Sequence, residues 1–327
     1  MKSLLTILTV FILSLGTMAQ AQKLRYLVIP KSVDSPFFDA VEKGCKQAAI
    51  ELNVECLYLG PEEADARFQD TIIRQQIDAG IDGIAVSVIN SRVLVNRSML
   101  LAAQKNIPVI SFDSDFSEQA LQDNPQLRYS YIGSDNFQFG YQLGLLTKRL
   151  KPKGGVFCIL SGHRAAANME ERMAGVYAAL KLNDEHKNEL WEEHTRCPIY
   201  SDDDAHRALS NLEKMLRLHA YAPELLDVLI NLGTGAQTLT LKYTDVVSPY
   251  LKELNSRQLI LLFGDTLPKQ KQLLIEGLAH GNVGQRPYDM GYQAIYALHS
   301  IRQGKTLAPI IYTDLEVCVQ GQQPLCH

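Results

Sequence analysis

The feature that most constrains this chain is a repeated alternation of short apolar runs with longer segments whose apolar residues recur every three or four positions. The first run spans residues 24–29 and the first long segment residues 37–52. In that segment Phe37, Val41, Cys45, Ala48, Ala49 and Leu52 mark one face of a helix. Pro36 stands where the first turn of a helix tolerates proline. Further strands are predicted at 54–59, 83–88 and 107–112, with helices near 66–79 and 91–105. The strands are apolar on both faces, which suits a parallel sheet covered by helices on each side.

The same rhythm restarts after 129–133, with strands predicted at 156–160, 227–231 and 259–263 and helices near 136–150, 168–181, 205–218 and 267–278. Two similar βα units in tandem are therefore expected. The segment 183–195 is strongly charged and carries the single tryptophan, Trp191; it reads as a surface loop leading into a strand. A chain of 327 residues exceeds what one core usually serves and suits two lobes of roughly 150 residues each. No long Pro/Gly/Ser linker separates the halves, so short crossing strands are expected to join them.

At the N-terminus Lys2 precedes an apolar run over 4–15, and Ala19-Gln20-Ala21 offers a cleavage site before Gln22. Residues 1–21 thus read as a secretory signal peptide; a dozen apolar residues are too few for a spanning helix, which needs about 20. A hydrophobic content of 46% with 21% charged residues describes ordinary globular domains. The formal net charge of −4 gives no electrostatic drive toward nucleic acid or an anionic membrane. The six cysteines, Cys45, Cys56, Cys158, Cys197, Cys318 and Cys326, permit three disulfides in an oxidising compartment without requiring them.

Open parallel sheets bind ligands beyond the carboxyl ends of their strands. The polar residues there are Lys31, Ser35, Asn90, Ser91, Asp113, Asp115, His163, Arg164 and Asp265. Enzyme motifs are missing from the sequence. No G-x-G-x-x-G follows a strand, no P-loop is present, and Ser161-Gly162-His163 is not a nucleophile elbow. His194, Cys197 and His206 beside Asp202-Asp203-Asp204 match no zinc or calcium spacing, and acidic capping of the helix near 205 explains the carboxylates.

Several blocks together resemble type I periplasmic sugar-binding proteins of ABC transporters. They are Val28-Ile29-Pro30-Lys31 with Ser35-Pro36-Phe37-Phe38 and Gly44; Gly80-Ile81-Asp82-Gly83-Ile84; residues 106–115; Tyr131-Ile132-Gly133-Ser134-Asp135-Asn136 with Gly140; Glu171-Arg172 with Gly175; Phe263-Gly264-Asp265; and residues 283–288 with Gly291-Tyr292. They follow family order over nearly the whole chain after residue 21. The resemblance implies an α/β fold of two doubly wound parallel-sheet lobes joined by a three-crossing hinge. It places lobe one at 23–133 plus 286–312 and lobe two at 134–285 plus 313–327 with the tail.

Carried over by position, Phe37 and Phe38 would face a ligand ring, with core packing as the alternative for one of the pair. Asp113, Asn168, Arg172, Asp265 and Gln285 would bond its hydroxyls, and Lys31 joins them in the ligand set. A surface ion pair with Glu171 is the other reading of Arg172. Aromatic rings suit the C–H faces of a sugar, and charged groups suit its rim of hydroxyls. Alanine at Asp113 or Arg172 is expected to cost roughly 2–5 kcal/mol of binding with folding largely spared. The chain departs from the family where Leu232-Gly233-Thr234-Gly235 replaces an Asn-Asp pair, and where Ser35 and Ser114 replace asparagine and the arginine of ribose binders. Glucose, ribose and autoinducer-type ligands stay open. In the chain path this fold implies, Cys45 lies near Cys56, Cys158 near Cys197, and Cys318 near Cys326. The expected protein is a periplasmic monomer without cofactor, metal, nucleic acid or catalytic activity. It would deliver its ligand to an ABC permease or, alternatively, present it to a membrane histidine kinase or chemoreceptor.

Overall fold

The apolar runs form strands because each can bury both of its faces. In β1 (Arg25–Ile29), Tyr26 and Val28 enter one core while Leu27 and Ile29 enter another on the opposite side of the sheet. Each such side chain contributes about 1.5–3 kcal/mol on burial. The computed structural model describes residues 23–164, 166–182 and 186–326; the expected signal peptide, 1–21, and His327 lie outside the described residues.

The strands that follow are β2 (Glu55–Tyr58), β3 (Gly83–Val86), β4 (Val109–Phe112), β5 (Tyr131–Gly133), β6 (Gly155–Ser161), β7 (Trp191–Glu193) and β8 (Ile199–Tyr200). After them come β9 (Val228–Asn231), β10 (Ile260–Gly264), β11 (Gly281–Gly284), β12 (Ile310–Tyr312) and β13 (Glu316–Val319). One sheet is ordered β12-β5-β4-β3-β1-β2 with all pairs parallel. The other is ordered β13-β11-β10-β9-β6-β7, with β8 also on β6 and β13 antiparallel on its edge. Both are doubly wound α/β sheets, as expected for a type I periplasmic binding protein fold. The chain passes between the sheets at 134–135, 285–286 and 313–315. No helix among the described residues is long and apolar enough to cross a membrane.

In each lobe two helices cross closely beside these connections. Pro36–Leu52 packs on Pro287–Arg302, and Asn136–Leu150 on Ala167–Leu180. Glycine makes both approaches possible: a methyl at Gly44 would run into the carbonyl of Tyr288, and one at Gly140 into that of Arg172. The second contact sets the position of the Arg172 backbone.

Three disulfides join Cys45 to Cys56, Cys158 to Cys197 and Cys318 to Cys326. The reading of 183–195 as a surface loop leading into a strand holds for the strand, β7, but not for the exposure of Trp191. Residues 183–185 lie outside the described residues, but Trp191 is only 3% exposed and sits in the core of the second lobe. The three-residue β7 pairs beside β6 and alternates inward at Trp191 and Glu193, a pattern too short to stand out against its charges.

Candidate functional site

The loops at the carboxyl ends of both sheets enclose a cleft of about 700 Å³. All eight residues of the expected ligand set line it. Lys31 follows β1, Asp113 follows β4, Asp265 follows β10 and Gln285 follows β11. Phe37 and Phe38 form the first turn of Pro36–Leu52, and Asn168 and Arg172 lie on the inner face of Ala167–Leu180.

Asp113 and Asp265 each leave a strand in the left-handed region, at φ 58° and 69°. That turn, which aspartate tolerates better than most residues, swings both carboxylates toward the cleft. Asp113 is 4% exposed; its Oδ2 accepts from the Ser87 hydroxyl at 2.6 Å and its carbonyl from the Tyr131 hydroxyl at 3.0 Å. Burial pushes the Asp113 carboxyl above the usual range and nearby Asp265 adds to this; Lys31, the Ser87 hydrogen bond and Arg172 pull the other way. Asp265 is more fully occupied. Its Oδ2 accepts from the backbone and hydroxyl of Thr234 at 3.1 and 2.6 Å, and its Oδ1 accepts from Gln285 Nε2 at 2.8 Å.

Arg172 is 1% exposed and makes no surface ion pair with Glu171. Its Nε donates to Asn136 Oδ1 at 2.9 Å and its Nη1 to the Leu232 carbonyl at 2.8 Å, while the guanidinium stacks 3.9 Å over the Phe139 ring. It is thus a core residue as well as a cleft residue, and its loss should cost stability as well as binding, against the expectation that folding is spared. Nη2 of Arg172 and Oε1 of Gln285 are buried with no hydrogen-bond partner among the described residues. Across the cleft, Lys31 Nζ donates to Asn168 Oδ1 at 3.0 Å, joining residues that stem from different sheets. Phe37 and Phe38 meet edge to face at 5.0 Å, and both belong to the core of the first lobe while lining the cleft.

Other polar residues singled out in the sequence have structural work. Asn90 caps the helix that starts at Ser91, the Ser91 hydroxyl accepts from the Ser117 backbone, and Asp115 is held by Arg128 and Ser111. Ser35 lines the cleft; the His163 backbone donates to Asp203; Arg164 stacks on the Tyr200 ring at 3.8 Å. Asp204 caps the helix Ala205–Tyr221 and Asp202 pairs with Arg207, while Cys197 is spent in a disulfide. The one cluster with metal-ligand geometry among the described residues, Glu316 with Cys318 and Cys326, contains the two sulfurs of a disulfide.

Sequence reasoning missed Ser87 and the roles of Asn136 and Thr234, which hold Asp113, Arg172 and Asp265. It also missed Gln69, which ties the ends of β1 and β3 by donating to the Pro30 and Ser87 carbonyls at 3.1 and 2.8 Å. The only signal for Gln69 was a polar residue on the apolar face of a predicted helix.

Residues 26–306 match the model of the periplasmic binding protein domain. The D-ribose/D-allose-binding protein of Pseudomonas aeruginosa is 29% identical over 163 residues, covering 49% of this chain and 50% of its own length. The xylose/arabinose-binding protein XylF of Sulfolobus acidocaldarius is 25% identical over 152 residues, 45% of this chain and 37% of its own. The chain therefore spans half the length or less of these curated relatives. A solute-binding protein of an ABC transporter from Burkholderia graminis, solved in complex with D-arabinose, superposes with a TM-score of 0.77 at 28% identity, covering 93% of this chain and 97% of that one. With this match laid over two doubly wound sheets, three crossings and a cleft between them, the chain belongs to the periplasmic binding protein family.

Proposed function

We propose that this protein captures a neutral sugar or sugar-like molecule between its lobes in the periplasm, catalyses nothing, and delivers the ligand to an ABC permease. One observation carries the reading. A donor, Arg172 Nη2, and an acceptor, Gln285 Oε1, are buried at the cleft wall without partners among the described residues. A sugar hydroxyl both donates and accepts, so a ring of hydroxyls meets both needs. Lys31 and Arg172 face Asp113 and Asp265, and further acids, among them Asp34, Glu62 and Asp203, line the cleft, so carboxylates outnumber the cations and hydroxyls are favoured over a phosphate or carboxylate ligand. Phe37 and Phe38 offer apolar surface to C–H faces. The sugars bound by the relatives support the same class.

Isothermal titration calorimetry with D-ribose, D-allose, D-arabinose, D-xylose, D-glucose and D-ribose 5-phosphate tests the proposal. Saturable heat from a neutral sugar, absent with the phosphate ester, is expected; binding of the phosphate ester alone would overturn it. For the membrane step, the loaded protein should stimulate ATP hydrolysis by a reconstituted permease encoded beside it. Stimulation of a histidine kinase instead would make the protein a sensory receptor.

A further inference from the structure

We infer that the ligand carries a second sugar ring, seated in a side bay of lobe two next to the eight residues that hold the first. The inference rests on the sugar-binding reading and names the size class of the ligand. It starts from volume: the cleft measures about 700 Å³. One hexose fills roughly 200 Å³ at organic packing density. The lobes are already bridged over this space, where Lys31 reaches Asn168 at 3.0 Å across the cleft. In lobe two the cleft lining extends past the eight residues to the ends of β6 and β9 and the start of the helix Ala205–Tyr221.

Small residues make the room there. A side-chain carbon built on Gly233 would meet no atom within 4 Å, and one on Gly235 would find only Ala208 and Asn231 Oδ1, both at 3.8 Å. Ala205 and Ala208 continue the wall. The bay is polar as well as roomy. Ser161 is 4% exposed, lines the cleft, and its hydroxyl has no partner among the described residues. Asn231 and Asn211 line the same wall, each committing its amide nitrogen to a backbone carbonyl. An unpaired buried hydroxyl is costly unless a hydrogen-bonding group reaches it, so the bay suits hydroxyls and not a hydrocarbon chain. The cleft thus offers room and polar groups beyond the eight-residue set, and the second ring would occupy them.

Calorimetry on the full chain with D-glucose, D-xylose, maltose, cellobiose and xylobiose tests this, using Gly233→Leu as the probe of the bay. Gly233 does not occupy the left-handed region, and a Cβ there meets no atom within 4 Å, so a side chain can leave this position into the open space. A disaccharide should bind the parent about tenfold or more tighter than its own monosaccharide, and Gly233→Leu should erase that advantage while leaving monosaccharide affinity within about twofold. A parent that binds a monosaccharide as tightly as any disaccharide, or a variant that weakens both alike, would overturn the second-ring site and leave sugar binding standing. Failure of every sugar would overturn both.

Discussion

Replacing Arg172 by alanine should damage affinity and stability together, and the size of each effect follows from its contacts. Truncation leaves the Leu232 carbonyl and Asn136 Oδ1 buried without their donor. Each costs about 1–3 kcal/mol, and the lost stack on Phe139 about 1 kcal/mol more. Water entering from the cleft and relief from holding a buried cation offset part of this, so a net loss of about 3–5 kcal/mol of lobe-two stability is expected. For a lobe of this size that corresponds to a melting point lower by roughly 6–20 °C. Loss of the free Nη2 donor should weaken sugar binding by about 2–5 kcal/mol, or from about 30-fold to several thousand-fold. Differential scanning calorimetry and titration calorimetry on the same sample separate the two effects. Asn136→Ala is the control, since it keeps the charge and removes one restraint. A variant melting within about 2 °C of the parent would refute the structural role, and undiminished affinity would refute the ligand role.

Lys31→Met removes the hydrogen bond to Asn168 across the cleft and should lower affinity about 10- to 150-fold; unchanged titration curves would contradict this. Asp265 and Gln285 should behave as one unit: the binding losses of Asp265→Ala and Gln285→Ala should fail to add by about 1 kcal/mol or more in a double-mutant cycle, and additivity would deny their coupling. His280 accepts from the Leu261 backbone at Nδ1 and donates from Nε2 to the Leu254 carbonyl, and burial, the main cause, holds its pKa below the usual 6.5. Its stabilising contribution is therefore present above about pH 6.5 and is lost as pH falls through the depressed folded value. Urea unfolding at pH 7.5 and 5.0 should show this loss in the parent and a smaller one in His280→Gln; equal losses would exclude His280. Opening Cys158–Cys197 by the double change to serine should cost roughly 4 kcal/mol on loop length alone, read by calorimetry without reductant; no change in melting would show that the bridge does not constrain the unfolded chain.

The strands were legible because a strand buried on both faces must be apolar along its buried length, as Tyr26–Ile29 of β1 and Ile260–Phe263 of β10 are. Positions at the strand ends followed from topology: in a doubly wound sheet the loops at the carboxyl ends of the strands gather at one edge, so Lys31, Asp113 and Asp265 were nameable, whereas Gln285 was named only through the family resemblance. Residue type alone could not separate Asp113 from Asp115 or Asn90. What separates them is whether a neighbour claims the side chain first, and Arg128 takes Asp115 while the Arg92 backbone takes Asn90. Such claims come from elsewhere in the chain, or from a turn geometry that periodicity does not encode.

The same reason hides the division of labour inside the cleft. Asp113 and Asp265 look alike in sequence, each following an apolar strand, and they share a left-handed backbone. Asp265 has both oxygens bonded, by Thr234 and Gln285, so it orients the amide whose Oε1 is left for a ligand. Asp113 has a single protein hydroxyl on Oδ2, so Oδ1 can meet a ligand directly. Arg172 is fixed by Asn136, 36 residues earlier, and by Leu232, 60 residues later, and no local pattern relates those three positions. Sequence order places the polar groups at the cleft, but which atom of each remains free for a ligand is decided by contacts between distant segments.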